Sequence, residues 1–280
     1  MTKKNILSSK NLGGAIYVIP NLFTTGNLFF GFFSILKATH GDYHAAAVAI
    51  LLAAVFDMLD GGVARLTKGT SEFGVQYDSL CDLVSFGLAP CFLAYQYALH
   101  NLGRFGWALC FIYLACGALR LARFNVQNSI GKSKGDFVGL PIPMAAAFVA
   151  CFVAYLEDLD ERALSNFSFL QKLHLWLASD QVRLWCLLLI LTLAAFLMVS
   201  NISYRSHKSL QVGPIKPFKT LAVSVVLIGF VAYRPAFFGF LFFSLYTTSG
   251  LIEFILGWKK ARDESDIFLT LDDNDSDSSS

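Results

Sequence analysis

The sequence predicts an all-α, polytopic integral membrane protein of about eight transmembrane helices, with a six-helix core. Three observations predict it. Hydrophobic residues are 55% of the 280 and charged residues only 15%, with a mean hydropathy of +0.56, a composition outside the range of ordinary soluble domains. The apolar residues gather into eight runs, roughly 17–38, 44–66, 76–99, 107–125, 139–157, 182–203, 218–233 and 236–257. Each is about as long as a helix needs to be to cross a hydrocarbon core of ~30 Å. The charges, finally, alternate sides from one loop to the next.

That alternation sets the expected orientation. With the N-terminus in the cytoplasm, only Lys37, Arg104, Arg162, Lys172, Arg183 and Arg234 of the 22 Lys and Arg fall on the far side. The other sixteen lie in or beside cytoplasmic loops, as the positive-inside rule requires. Both termini are therefore expected inside. The polar start with Lys3, Lys4 and Lys10 has no small-residue cleavage site after a short apolar core, so no cleaved signal peptide is expected. Four parts follow: a cytoplasmic segment 1–16, a membrane core 17–203, two further helices within 204–258, and an acidic, Ser-rich, disordered tail 259–280. Pro235 separates the last two helices.

The first helix is expected to open at Ile19-Pro20-Asn21, since Pro suits a first helical turn. Asn21 and Thr24 offer hydrogen bonds there. The fourth run ends Arg120-Leu-Ala-Arg123-Phe-Asn125, with the two Arg on one face. Snorkelling anchors explain them as well as an anion site does. Next comes Phe137-Val-Gly-Leu-Pro-Ile-Pro143, an extended, rigid entry to the fifth helix. The loop 158–180 is acidic and carries no evident chemistry. The six Cys lie in apolar runs with no Cys-x-x-Cys pair, so they are read as small packing residues. The five His sit at helix ends or in loops. No nucleic-acid partner is expected.

One stretch breaks the apolar pattern: Asp57-x-x-Asp60-Gly61-x-x-Ala64-Arg65, eight residues, then Gly74-x-x-x-Asp78-x-x-x-Asp82. Asp57 and Asp60 share a helix face that Gly61 and Ala64 continue. Gly74, Asp78 and Asp82 form a stripe on the next helix. An Asp at mid-membrane costs about 2.5–3.5 kcal/mol on insertion scales, and four cost on the order of 10 kcal/mol, less near the interface. Four like charges also need cations or protons to neutralise them. An all-carboxylate site suits a hard divalent ion, and such an ion can clamp a diphosphate.

All eight fixed positions of this stretch resemble the signature of the CDP-alcohol phosphatidyltransferase family. Pro20-Asn21-x-x-Thr24 is also similar to that family. Arg120–Asn125 and Gly139-Leu-Pro-Ile-Pro143 look like its serine-accepting branch. The resemblance is strongest over about 17–150. It implies transfer of a phosphatidyl group from CDP-diacylglycerol to L-serine, with release of CMP and one or two Mg2+ or Mn2+ ions. It implies metal ligation by Asp57, Asp60, Asp78 and Asp82, with Asp82 also the general base. Asn21, Thr24, Gly61, Ala64, Arg65 and Gly74 would meet the CDP-lipid; Arg120, Arg123 and Asn125 would meet the acceptor. It further implies a homodimer in contact with membrane lipid. Glycerol phosphate, inositol phosphate and choline remain open as acceptors. Two other classes compete: an intramembrane prenyltransferase, whose paired Asp have different spacings, and a cation transporter, whose acids belong near the bilayer midplane.

Overall fold

The computed structural model describes residues 4–67, 71–129, 137–161, 179–200, 202–204 and 233–250. Six of the described helices contain spans long and apolar enough to cross a membrane: Val18–Thr39, Tyr43–Leu66, Glu72–Tyr97, Arg104–Gln127, Ile142–Leu159 and Asp180–Val199. We label the helices α1 (Lys4–Thr39), α2 (Tyr43–Thr67), α3 (Glu72–Tyr97), α4 (Arg104–Ser129), α5 (Ile142–Glu161) and α6 (Asp180–Val199). They match the first six apolar runs to within a few residues, apart from the start of α1. The seventh run, 218–233, lies almost wholly outside the described residues, as does the acidic tail. The eighth is represented by helix over 235–250.

α1 does not open at Pro20. The helix begins at Lys4 and Pro20 lies inside it. Proline costs a helix one hydrogen bond, and here the helix continues through it.

The helices pack through small residues, as membrane helices do in the absence of a hydrophobic drive between them. Ala46, Ala47, Ala49 and Ala53 are the buried face of α2; Ala145, Ala146, Val149, Ala150 and Val153 are that of α5. A Cβ on Gly26 would run into the ring of Phe56, and Phe56 also packs against Phe23 and Phe30. This close approach seats α1 against the turn of α2 that begins at Asp57. Large apolar side chains such as Leu22, Phe29, Phe32, Phe111 and Leu189 face outward, toward lipid.

α3 starts at Ser71, whose hydroxyl accepts from the Gly74 N–H at 3.0 Å. After Asp82 the helix widens into a π-helical turn, Leu83–Leu88. Pro90 follows and has no N–H to give back to Phe86 O. The buried Tyr113 hydroxyl of α4 donates to that carbonyl instead, at 3.2 Å. The extended entry to α5 is more than a turn. Phe137–Val138 (β1) pairs antiparallel with Ser203–Tyr204 (β2), Phe137 opposite Tyr204. Gly139, at φ +82°, donates to Ile202 O at 2.8 Å, and Leu140 N–H to Leu197 O at 3.0 Å. The Val-Gly-Leu-Pro segment thus clips the start of α5 to the end of α6.

The helix over 235–250 lies along α5. Phe240 stacks on Phe148 and Tyr155, and Phe237 meets Tyr155. Its far end carries Tyr246 toward Arg120 of α4.

Candidate active site

Asp57, Asp60 and Asp78 converge. Each offers a carboxylate oxygen, and the three oxygens lie within 4.8 Å of one another. The first two come from one turn of α2 and the third from α3, so the site exists only where these helices cross. Asp82, one turn beyond Asp78, adjoins Asp57 but stands outside that triplet. Asp60 and Asp82 are buried, and Asp57 and Asp78 half-buried.

α1 supplies the donors. The buried Thr24 hydroxyl donates to Asp60 Oδ2 at 2.8 Å. One turn on, Asn27 Nδ2 donates to Asp82 Oδ1 at 2.9 Å. Thr25 and Tyr77 are hydrogen-bonded through their hydroxyls at 3.0 Å, a further tie between α1 and α3. A neutral donor on each outer carboxylate orients it without cancelling the charge that a cation would need.

Beside the triplet opens a cleft, continuous with solvent and about 420 Å3 with its open mouth included, lined by Pro20, Asn21, Thr24, Asp60, Gly61, Ala64, Ser71, Gly74, Val75 and Asp78. A Cβ on Gly61 would meet no protein atom, so the space beside it belongs to the cleft. Gly74 is different. A Cβ there would lie 3.1 Å from Ser71 Oγ and 3.3 Å from Asn21 Oδ1. Its lack of a side chain serves the approach of α1 to α3 as well as access from the cleft.

The remaining expected residues divide. Arg65 is exposed and folds back on its own helix, with Nε donating to Gly61 O at 2.9 Å. Arg120 is half-buried on α4 within electrostatic reach of Asp82, and its Nε has no hydrogen-bond partner among the described residues. Arg123 is half-buried one turn on. Asn125 is committed to α3: its Nδ2 donates to Ser79 Oγ at 3.0 Å, next to Asp78. Asn27, Tyr77 and Ser85 were not singled out from the sequence as site residues. Of these, Asn27 left a trace: an amide within an apolar run, three residues after Thr24.

The donor set fits a hard divalent cation. Three carboxylate oxygens from two rigid helices, at this mutual spacing, leave open positions for phosphate oxygens. Among the described residues no soft ligand joins the triplet, the nearby Cys81 being buried on α3.

Comparison with known proteins agrees with this geometry. A protein of Helicobacter pylori (strain ATCC 700392 / 26695), named CDP-diacylglycerol–serine O-phosphatidyltransferase, is 33% identical over 246 residues, covering 86% of this chain and 92% of that protein. Archaetidylserine synthase of Methanothermobacter thermautotrophicus is 41% identical over 136 residues, 48% of this chain and 57% of that protein. The CDP-diacylglycerol–serine O-phosphatidyltransferase of Saccharomyces cerevisiae is 40% identical over 154 residues, 50% of this chain and 53% of that protein. The sequence model for CDP-alcohol phosphatidyltransferases matches residues 17–178, a range that takes in all four Asp, the α1 donors and the Arg pair of α4; the chain belongs to the CDP-alcohol phosphatidyltransferase family.

Proposed function

We propose that the protein moves a phosphatidyl group from CDP-diacylglycerol to the hydroxyl of L-serine, giving phosphatidylserine and CMP. The observation that carries this reading is the convergence of Asp57, Asp60 and Asp78 beside an open cleft, with Asp82 adjoining and Arg120 within electrostatic reach of it. Asp57, Asp60 and Asp78 would do most of the binding of one or two Mg2+ or Mn2+ ions, with Asp82 beside them as a further ligand and as the base. A bound ion would neutralise charge on the diphosphate and on the leaving phosphate. Asn21, Thr24, Gly61, Ala64 and Gly74 line the space for the cytidine and diphosphate. Arg65, next to the cleft-lining Ala64, would pair with a phosphate by leaving its bond to Gly61 O.

Asp82 accepts the proton of the serine hydroxyl. The serine oxygen forms a bond to the phosphorus that carries the lipid. The bond from that phosphorus to the oxygen of CMP breaks, and its electron pair leaves with CMP. Arg120 meets the serine carboxylate, with Arg123 on the same face adding charge. Asn125, hydrogen-bonded to Ser79, completes the acceptor side of the site.

The site lies at the cytoplasmic ends of α2, α3 and α4, in keeping with the Lys and Arg bias. Residues 17–203 form the catalytic core, and a homodimer is the expected assembly. The test is a headgroup assay. Purified protein with CDP-diacylglycerol and Mg2+ or Mn2+ receives serine, glycerol phosphate, inositol phosphate or choline separately. CMP release should depend on serine. Release with another acceptor and none with serine would reassign the substrate. The absence of CMP release with all four would reject the transferase reading.

A further inference from the structure

We propose that Asn27 is a positioning residue that sets the orientation of the Asp82 carboxylate. The proposal rests on the reading of Asp82 as the base. Asn27 is fully buried in α1. Its Nδ2 donates to Asp82 Oδ1 at 2.9 Å, while its Oδ1 is buried with no partner among the described residues. The contact to Asp82 is therefore the one hydrogen bond this amide makes among the described residues. An amide that served only to knit α1 to α3 would be expected to use its acceptor too, because a buried unpaired carbonyl is costly.

The main chain of the same residue closes a bracket around Asp82. Ser85, one turn further along α3 in the π-helical segment, donates its hydroxyl to Asn27 O at 3.0 Å. α1 and α3 touch so closely here that a Cβ on Gly31 would lie 2.7 Å from Ser85 Cα. Asn27 thus holds Asp82 from its side chain and holds the next turn of Asp82's helix from its backbone. With Oδ1 held by Asn27 and Asp57 adjoining, the plane of the Asp82 carboxylate is set before the hydroxyl proton arrives. Rotation of the carboxylate away from the acceptor would break the Asn27 bond.

Asn27→Leu keeps the volume and removes the donor. It should lower kcat about 10- to 100-fold, the scale on which small misplacements of a reacting group act. The KM for CDP-diacylglycerol and the affinity for Mn2+, read by electron paramagnetic resonance on the purified protein, should stay within about threefold. The deciding measurement is a double-mutant cycle with Asp82→Asn. If Asn27 acts through Asp82, Asn27→Leu costs nothing further in the Asp82→Asn background. If the two losses multiply, or if Asn27→Leu turns over normally while Asp82→Asn is crippled, the positioning role is overturned and the base assignment stands. Near-normal turnover of Asp82→Asn would instead overturn the base assignment, and the proposal with it. Should the Leu variant not fold, Asn27→Ala, which adds no bulk, supplies the same cycle.

Discussion

Thr24 and the carboxylate it touches show what the site asks of single residues. A hydrogen bond to a charged group is worth about 1.5–3 kcal/mol, and partners of metal ligands commonly affect affinity or activity 10- to 100-fold. Thr24→Val keeps the shape and removes the donor to Asp60. We expect Mn2+ affinity and CMP release to fall about tenfold together, read by paramagnetic resonance and by nucleotide assay. The carboxylates themselves behave differently. Asp57→Asn, Asp60→Asn and Asp78→Asn should each abolish turnover while leaving the protein folded, because removing one charge relieves repulsion among the rest. The thermal midpoint in detergent, without added metal, should hold or rise. Near-normal activity in any two of these would remove the shared site. Arg120 tests the acceptor. Its loss should raise the KM for serine about ten- to hundredfold with little change for CDP-diacylglycerol, if binding is at equilibrium. Arg120→Lys should rescue only in part, since Lys lacks the planar two-pronged contact. Full rescue by Lys would make Arg120 an anchor.

Among the elements, the pairing of α1 with α3 decides the most. Thr25 with Tyr77, Asn27 with Asp82, and Ser85 with Asn27 O run along a single seam, and Gly31 lets the two backbones meet below it. Gly31→Ala would drive a methyl into Ser85, so something must shift. Overpacking of this kind costs about 1–3 kcal/mol. A lower thermal midpoint with a matching loss of activity is the expected result. An unchanged midpoint would mean that the seam is looser than its geometry implies. The strand pair at 137–138 and 203–204 works in the same way at the other side of the bundle. It joins α5 to α6 across a long stretch of chain, and Gly139 makes the bend that starts α5.

For the whole molecule, the order of spans places the site at one end. The start of the Val18–Thr39 span, the ends of α2 and α4 and the start of α3 meet there, and the turns at Gly41 and Gly103 lie at the other end. At that opposite end Lys37 pairs with Asp42 at 2.9 Å, and His44 lies 3.4 Å from Asp158. We propose, from the positive-inside rule, that the site end faces the cytoplasm. Single cysteines at His40 and Asn101, in a background without native Cys, should react with an impermeant label from outside sealed membranes. One at Glu72 should react only after the membranes are opened. The reverse pattern would invert the protein and put its substrates on the other leaflet.

The spans and the four Asp were legible in the sequence because both are local signals. Hydropathy over twenty residues and spacings of three or four on one helix need no knowledge of the rest of the chain. That is why Asp57, Asp60, Asp78 and Asp82 could be grouped before any fold was known. The start of α1 was not legible, since Pro20 suits a first turn and the helix nevertheless runs through it. Nor were the partners of the carboxylates. Thr24 reaches Asp60 across 36 residues, and Asn27 reaches Asp82 across 55. No local pattern says which turn of α1 will lie against which turn of α2 or α3. Gly74 carried the right residue for a second reason, the contact with Asn21, and Asn125 proved to be bound to Ser79. The sequence by itself determined which groups are charged and on which helix faces they lie. Only the packing of helices, set by where small residues let backbones approach, decided which donor each carboxylate receives.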